Sequence, residues 1–334
     1  MKRFLFITAC FILSLNVFAQ QDDVEKLHEN AKTFMRQGDY ANASLILVRA
    51  LDQAPGNRQI AKDLAYAYYL QKQNQKALDV VKPMLDKQIA DDQTYQIAGT
   101  IYSAMGQFKE AEKVYKDGIK TYPDSGPLYN EYGELLYRMR DNSSIKVWEK
   151  GIEIDPSYSK NYYNACKYYY RTSDKIWSLL YGEIFINLES FTSRTTEVKN
   201  ILVDGYKKLF ADPDLLKDSK GKNKFELAYL ATMNKQNSVV TSGINPESLT
   251  MIRTRFILDW YQEYASQFPF KLFGIQKDLL EKGLFAAYDQ WIFGATQNLA
   301  AYQNWIASHA SEHEAFNQYL KDRILKFPSG QFYH

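Results

Sequence analysis

A chain of 334 residues is long enough for one extended solenoid or two packed domains, and its 46% hydrophobic fraction excludes wholesale disorder. It carries 26 Tyr and 19 Phe, a large stock of flat, amphipathic contact surface. Its 41 basic and 39 acidic residues form no basic cluster, so charge gives no reason to expect nucleic acid or an anionic lipid surface.

The first element is a leader. Lys2 and Arg3 precede an almost wholly apolar run from Phe4 to Phe18, and Val17-Phe18-Ala19 stands just before the polar Gln20-Gln21-Asp22-Asp23. This pattern predicts a secretory signal peptide over residues 1–19, cleaved after Ala19, and hence a periplasmic or secreted protein. The apolar run is too short for a bilayer span, and no later segment is apolar enough for one. Ile7-Thr8-Ala9-Cys10 resembles a lipoprotein box, but the apolar stretch before Cys10 is short and the run continues past it. Lys2 and Arg3 are the only charged residues in the leader, so the processed chain is balanced in charge. Cys166 is then its single cysteine, which rules out an internal disulfide and leaves stability to packing.

Self-similarity follows. Ala31, Ala65, Gly99 and Gly133 recur every 34 residues, and Phe34, Tyr68, Tyr102 and Leu136 keep the same step. So do Leu27, Ala61, Tyr95 and Tyr129. Ala43, Ala77 and Ala111 form a further column, with Leu47, Val81 and Tyr115 four positions later. Within each unit the spacing predicts two helices, the first with one buried stripe. The Ala or Gly column lets the second helix approach closely, since a larger side chain there would overpack the contact. Gly38 and Gly106 suit the turn between the two helices, and Pro55 and Pro123 stop the second.

These columns make residues 24–158 resemble four tetratricopeptide repeats. The fourth unit has lost one residue around Asp141 to Ser144, after which Trp148, Gly151 and Pro156 resume one step early. A fifth unit begins at Ser159, with Tyr162, Ala165, Cys166 and Tyr169 on the first-helix columns and Cys166 as the small buried residue. Its second helix, Ile176 to Leu188, lacks the usual alanines. The resemblance implies an all-α, right-handed helix-turn-helix solenoid of about five units over residues 20–190. It also implies a role as an interaction scaffold, without choosing the partner.

Past Glu189 the repeat register is lost while helical patterning continues, which predicts a smaller helical C-terminal domain over 191–334. Arg194 to Phe210 is amphipathic, and Lys217 to Lys224 reads as a solvated loop. Asn245-Pro246-Glu247 opens a helix whose Ile252, Phe256, Trp260 and Tyr264 form a core stripe. Near 269–300 a degenerate repeat-like pair returns, with Gln276 and Tyr288 where small residues belong, and Asn298 to Leu325 supplies closing helices.

Catalytic patterns are thin. His309-Ala310-Ser311-Glu312-His313 reads H-x-x-E-H, a zinc-peptidase pattern, but zinc needs a third protein ligand and only a short stretch follows His313. Glu189-Ser190 resembles the pair that opens lytic transglycosylase domains, without the Gly-Leu-Met-Gln-like segment that should follow. No phosphate loop, dinucleotide fingerprint, G-x-S-x-G or Cys-x-x-Cys is present. The expectation is a non-enzyme without cofactor or metal.

Side chains left over from the core stripe of the first helices line the concave face that the resemblance implies. They are His28, Lys32 and Met35; Lys62, Tyr66 and Tyr69; Gln96, Thr100 and Ser103; Asn130, Glu134, Tyr137 and Arg138; and Tyr163, Lys167, Tyr170 and Arg171. The candidate groove is tyrosine-rich, centred on Lys62, Tyr66, Tyr69, Asn130, Tyr137, Arg138, Tyr163, Lys167 and Tyr170, and Tyr and Arg are favoured at binding hot spots. Tyr66 stands where the carboxylate clamp of chaperone-binding repeats needs an asparagine. The expected partner is a protein or extended peptide. The alternative is an envelope carbohydrate, because tyrosine faces stack on sugar rings, and a cell-wall or peptide hydrolase is a remote third reading.

Overall fold

Apolar residues spaced three and four apart, separated by short polar turns, produce helices throughout the computed structural model, which describes residues 23–217, 219–241, 243–323 and 325–334. The predicted leader lies outside the described residues. No strand occurs among those described. The helices fall into two units, one ending at Pro123 and the other running from Asp124 to His334.

The first unit holds three antiparallel pairs. They are α1 (23–37) with α2 (Tyr40–Gln53), α3 (Arg58–Leu70) with α4 (Asn74–Asp86), and α5 (Asp92–Ala104) with α6 (Phe108–Thr121). Asn57 and Asp91 cap the backbone N–H groups that open α3 and α5. The small-residue column works as a volume exchange between the two helices of a pair. Ala31 and Ala65 share cores with the aliphatic Leu47 and Val81. Gly99 instead meets Tyr115, and a Cβ at Gly99 would lie 2.4 Å from the Tyr115 ring. The turn between the helices of a pair needs a left-handed residue. Gly38, Lys72, Gly106 and Arg140 occupy the same place in successive repeats with φ of 78°, 62°, 74° and 62°.

In the second unit the fourth pair is α7 (Gly126–Arg138) with α8 (Ser144–Ile154), and the fifth is α9 (Ser159–Tyr170) with α10 (Ile176–Leu188). The shortened turn after α7 brings Trp148 over Gly133, where a Cβ would fall 2.3 Å from the indole nitrogen. Cys166 is fully buried, and a Cβ on Gly182 of α10 would come 2.9 Å from its Sγ. Burial pushes the Cys166 thiol up to about 12, so it packs as a small hydrophobe.

Helix α10 lacks alanines because it is buried on every side rather than along one stripe. It packs against α9 and against α11 (Ser193–Leu209), and it also touches α15 (Lys271–Glu281). The repeat register therefore persists one helix further than the sequence columns suggest. Helix α11 begins 34 residues after α9 and lies beside it as the next first helix. Its apolar stripe is shifted to Val198, Leu202 and Tyr206, which removes the small-residue signature. The core of this unit passes through residue 190 unbroken, with Phe185 and Ile186 of α10 and Val198 and Leu202 of α11 in one cluster.

The remaining helices are α12 (Lys224–Asn234), α13 (Asn237–Val240), α14 (Pro246–Glu263), α15, α16 (Phe285–Asp289), a π-turn at Gln290–Gly294, α17 (Ala295–Gln297), α18 (Leu299–Ser308) and α19 (Ala310–Asp322). Ile252, Phe256 and Trp260 form the buried stripe of α14. Around it lies a polar network without counterpart in the repeat columns. The carboxylate of Glu183 on α10 accepts from Arg253 on α14, from Gln276 Nε2 at 2.6 Å and from Tyr288 Oη at 2.8 Å. Arg253 also pairs with Asp289, and its guanidinium faces the rings of Phe285, Tyr288 and Phe293. Gln276 and Tyr288, the two breaks in the degenerate repeat pattern, are thus the residues that reach Glu183. Burial lifts the Asp289 carboxyl to about 7 against the pull of Arg253.

Two polar segments are more ordered than their composition suggests. Lys222, read as part of a solvated loop, pairs with Asp174 and lies 3.2 Å from Glu226. Residues 325–334 run without helix over the unit, where Phe327 meets Tyr162, Tyr333 stacks on Phe225 at 4.7 Å and the Asn223 amide donates to the Tyr333 carbonyl at 2.6 Å.

Candidate functional site

The inner faces of the first helices differ in how far their polar groups are already engaged. In the first unit Tyr66 and Tyr69 lie one turn apart on α3 and stack with ring centroids 6.0 Å apart, Tyr66 being 46% exposed. Lys62 is buried beneath them, its ammonium 2.6 Å from the Asp91 carboxylate. Burial opposes ionisation of Asp91, but the hydrogen bonds from Lys62 and Thr94 hold its carboxyl below the usual range. Lys62 is therefore tied into the joint between α3 and α5 and offers no free ammonium. On α1, His28 is likewise 2.6 Å from Asp63.

In the second unit a ladder of bonds joins residues 34 positions apart on successive first helices. The Asn164 amide donates to Asn130 Oδ1 at 2.9 Å, Tyr163 Oη donates to Glu197 at 2.5 Å, and Tyr170 Oη donates to Asp204 at 2.6 Å. Lys167 and Lys208 complete the rungs at 2.9 Å from Glu197 and 2.7 Å from Asp204. Asn130 is fully buried in this ladder. Tyr163, Lys167 and Tyr170 thus hold α9 to α11 as well as facing inward. Sequence columns missed Glu197 and Asp204, although both follow the 34-residue step from Tyr163 and Tyr170.

Between the C-terminal ends of α7 and α9 the surface opens into a basin of about 780 Å³. Trp148 forms its floor, only 2% exposed, with its indole N–H donating to the Asn130 carbonyl at 3.2 Å. The rings of Tyr137 and Tyr168 lie 5.7 Å and 6.5 Å from it, and Tyr137 is 40% exposed. Tyr163 and Lys167 border the basin, as do Arg138, Arg140 and Arg171. Of the two acidic neighbours, Glu134 accepts from Asn164 at 3.1 Å, and Asp141 accepts the Ser143 N–H at 2.8 Å. The partly exposed rings of Tyr137 and Tyr168 beside a guanidinium rim can hold a flat or aliphatic group while an anion pairs at the edge. Of the nine expected groove residues, Tyr137, Arg138, Tyr163 and Lys167 meet here, Asn130 is buried behind the Trp148 floor, and Lys62 is buried on α3 of the first unit. Arg140 stands in the turn column held by Gly38, Lys72 and Gly106 in the other repeats, and the glycines there masked it as a candidate.

Neither catalytic pattern assembles a site among the described residues. His309 falls in the break between α18 and α19, with its ring stacked on Trp305 at 4.6 Å. Glu312 accepts the Ala287 N–H at 3.0 Å. Glu189 makes two bonds of 2.9 Å to Arg194. No group of three or more His, Cys, Asp or Glu among the described residues is arranged to hold a metal, and no helix there is long and apolar enough to cross a membrane.

Two family profiles described as tetratricopeptide repeat match this chain, over residues 34–98 and 92–125. Curated protein sequences give no match. Among solved structures, a thermophilic TPR protein of Thermus thermophilus aligns at TM-score 0.46 and 14% identity over 56% of this chain and 98% of its own. A tetratricopeptide repeat protein from Parabacteroides merdae aligns at TM-score 0.42 and 16% identity over 78% of this chain and 98% of its own. YrrB, described as a TPR protein with an unusual peptide-binding site, aligns at TM-score 0.37 and 14% identity over 56% and 96%.

Proposed function

We propose that this chain, which belongs to the tetratricopeptide-repeat superfamily, is an exported interaction scaffold that holds an extended segment of another protein against the inner face of its second unit. Tetratricopeptide repeats are interaction scaffolds as a class, and the proposal assigns no catalytic step. The observation that carries it is the basin over Trp148, where Tyr137 stays 40% exposed while neighbouring inner-face tyrosines are bonded to α11. A ring held open beside a buried indole and several guanidiniums has the composition of an interface hot spot. Export is supported by the basic, apolar and polar succession of Lys2 to Asp23, with cleavage after Ala19.

A photo-crosslinking amino acid placed at Tyr137, and separately at the exposed Lys146 on α8, tests the site. Discrete protein adducts from the Tyr137 position alone are expected. Equal labelling from both positions, or none from Tyr137, refutes the groove assignment. Glycan binding that disappears on changing Tyr66 and Tyr69 to Ala would instead establish the carbohydrate alternative. N-terminal sequencing of the processed protein should start at Gln20, and a retained Met1 would refute export by this leader.

A further inference from the structure

We infer that residues 325–334 form a proton-controlled strap: the imidazolium of His334 latches this extended segment onto α8 and α9, and loss of its proton loosens the segment from the rings of Trp177 and Phe225. None of the strap's residues lines the basin over Trp148, so the device is separate from the partner site.

The segment contains no helix and is fastened at a few separate points. Phe327 meets Tyr162 with ring centroids 6.3 Å apart, and the Lys271 N–H donates to Gln331 Oε1 at 2.8 Å. Tyr333 lies over Phe225 and donates its hydroxyl to the Pro269 carbonyl at 2.8 Å. Trp177 and Phe225 are both buried and have the strap as one wall, the Trp177 ring meeting His334 edge to face at 5.0 Å.

At His334 the fastening depends on a proton. Tyr169 Oη donates its single hydrogen to the buried Glu149 carboxylate at 2.7 Å. His334 Nε2 stands 2.7 Å from that same oxygen and must donate to it. Nδ1 lies 3.1 Å from Glu149 Oε1 and must donate as well, because a carboxylate only accepts. Both ring nitrogens therefore carry hydrogen, and the ring is a cation. A neutral ring has one N–H. With it on Nε2, Glu149 faces a lone pair; with it on Nδ1, Tyr169 must turn its hydrogen away from Glu149. Either way a buried carboxylate gives up a donor and the charge that matched it.

The other titratable groups facing the imidazole are Tyr181 on α10, whose hydroxyl reaches Glu149 at 3.4 Å, Asp174 in the turn before α10, and Glu226 on α12. Lys222 pairs with both Asp174 and Glu226, whereas the ion pair of Glu149 among the described residues is with His334. Burial opposes the charge on His334, but the hydrogen bond and charge of Glu149, with Glu226 and Asp174 behind it, hold its proton above the ordinary histidine range. Because the folded value is raised above the free one, the strap is tightest below the ordinary histidine value and loosens as pH rises through the raised one.

Chymotrypsin cleavage after Phe332 in the full chain, followed by mass spectrometry, tests the strap. Each rate is divided by that of a doubly capped peptide of residues 325–334 at the same pH, which cancels the protease's own pH profile. Protection is expected to be about tenfold greater at about pH 5.5 than at about pH 8.5. His334→Gln should show the lower protection at both pH values with an unchanged far-ultraviolet spectrum, and Glu149→Gln should flatten the profile in the same way. His309→Gln should leave the profile intact. In nitrogen NMR of histidine-labelled chain, the signal missing from His334→Gln should titrate above the histidine of the free peptide. Protection that does not change with pH, that falls towards acid pH, or that survives unchanged in His334→Gln overturns the inference, as does a His334 signal that titrates with or below the peptide.

Discussion

Exchanging the Gly99–Tyr115 pair for the shapes found one repeat earlier tests the volume rule at the centre of each helix pair. An Ala side chain at position 99 would place its Cβ 2.4 Å from Tyr115 Cε1 and 2.5 Å from Cζ, against the roughly 3.5–4.0 Å of ordinary carbon contacts. The Tyr115 ring is 2% exposed and cannot swing into solvent, so α5 and α6 must part by about 1 Å. Overpacking on that scale costs about 3 kcal/mol, and the better helix propensity of Ala over Gly returns about 1 kcal/mol. Gly99→Ala alone is therefore expected to destabilise by about 2 kcal/mol. Tyr115→Val leaves a hole and should cost about 3 kcal/mol. In the double variant the clash is gone, so the loss of Tyr115 packing, offset by the propensity gain, leaves a net cost of about 2 kcal/mol at a pairing shaped like the native Ala65–Val81. The double variant should then be more stable than Tyr115→Val alone, with a coupling energy of about 3 kcal/mol in the cycle. Urea unfolding followed by far-ultraviolet circular dichroism measures all four corners. Additivity within about 0.5 kcal/mol would refute the argument, because it would mean the two positions do not share one volume.

Two further outcomes follow from buried charge. Arg253→Met should destabilise the second unit by about 3–5 kcal/mol, since it leaves the buried Glu183 carboxylate without its cation and Asp289 to be held as the neutral acid; a loss under about 1 kcal/mol by urea unfolding would refute that reading of the network. Lys199 lies with its ammonium 3.8 Å from the Trp291 ring centroid and 2.6 Å from the Trp291 carbonyl, and burial pulls it from 10.5 down to about 7. Because the folded value lies below the unfolded one, the unfolded chain holds the extra proton between them, and stability rises as pH climbs from about 7 towards 10. Lys199→Met should raise stability at pH 7 by about 1–2 kcal/mol and flatten that slope, and an unchanged slope in parallel urea titrations would count against it.

The repeat was legible because its contacts are local. Each volume match joins residues sixteen or so apart, as with Gly99 and Tyr115, and recurs at a fixed step, so the small-residue columns and the second-helix columns both survive in the linear order. The turns were legible for the same reason, although the glycine signal hid the two cations, Lys72 and Arg140, that share the left-handed position. All-α architecture, the pairing of helices and the small buried role of Cys166 therefore belong to the sequence alone. At α11 helix packing against both α10 and the π-turn segment moves the apolar stripe while the inner-face column continues in Glu197 and Asp204, so the small-residue columns stop short of it.

Tertiary structure decided what period and composition do not encode. The Glu183–Arg253 pair spans 70 positions and the Arg323–Asn187 hydrogen bond spans 136, and neither distance recurs, so no column announces them. Whether an inner-face residue is open or spent is likewise a matter of its neighbours. Lys62 and Asn130 occupy the same repeat position as Tyr163, yet Asp91 and the Asn164 ladder bury the first two while Tyr163 still borders the basin. A periodic sequence specifies which face a side chain takes, because helical spacing is local. The partner that face retains depends on groups brought together only when successive repeats stack.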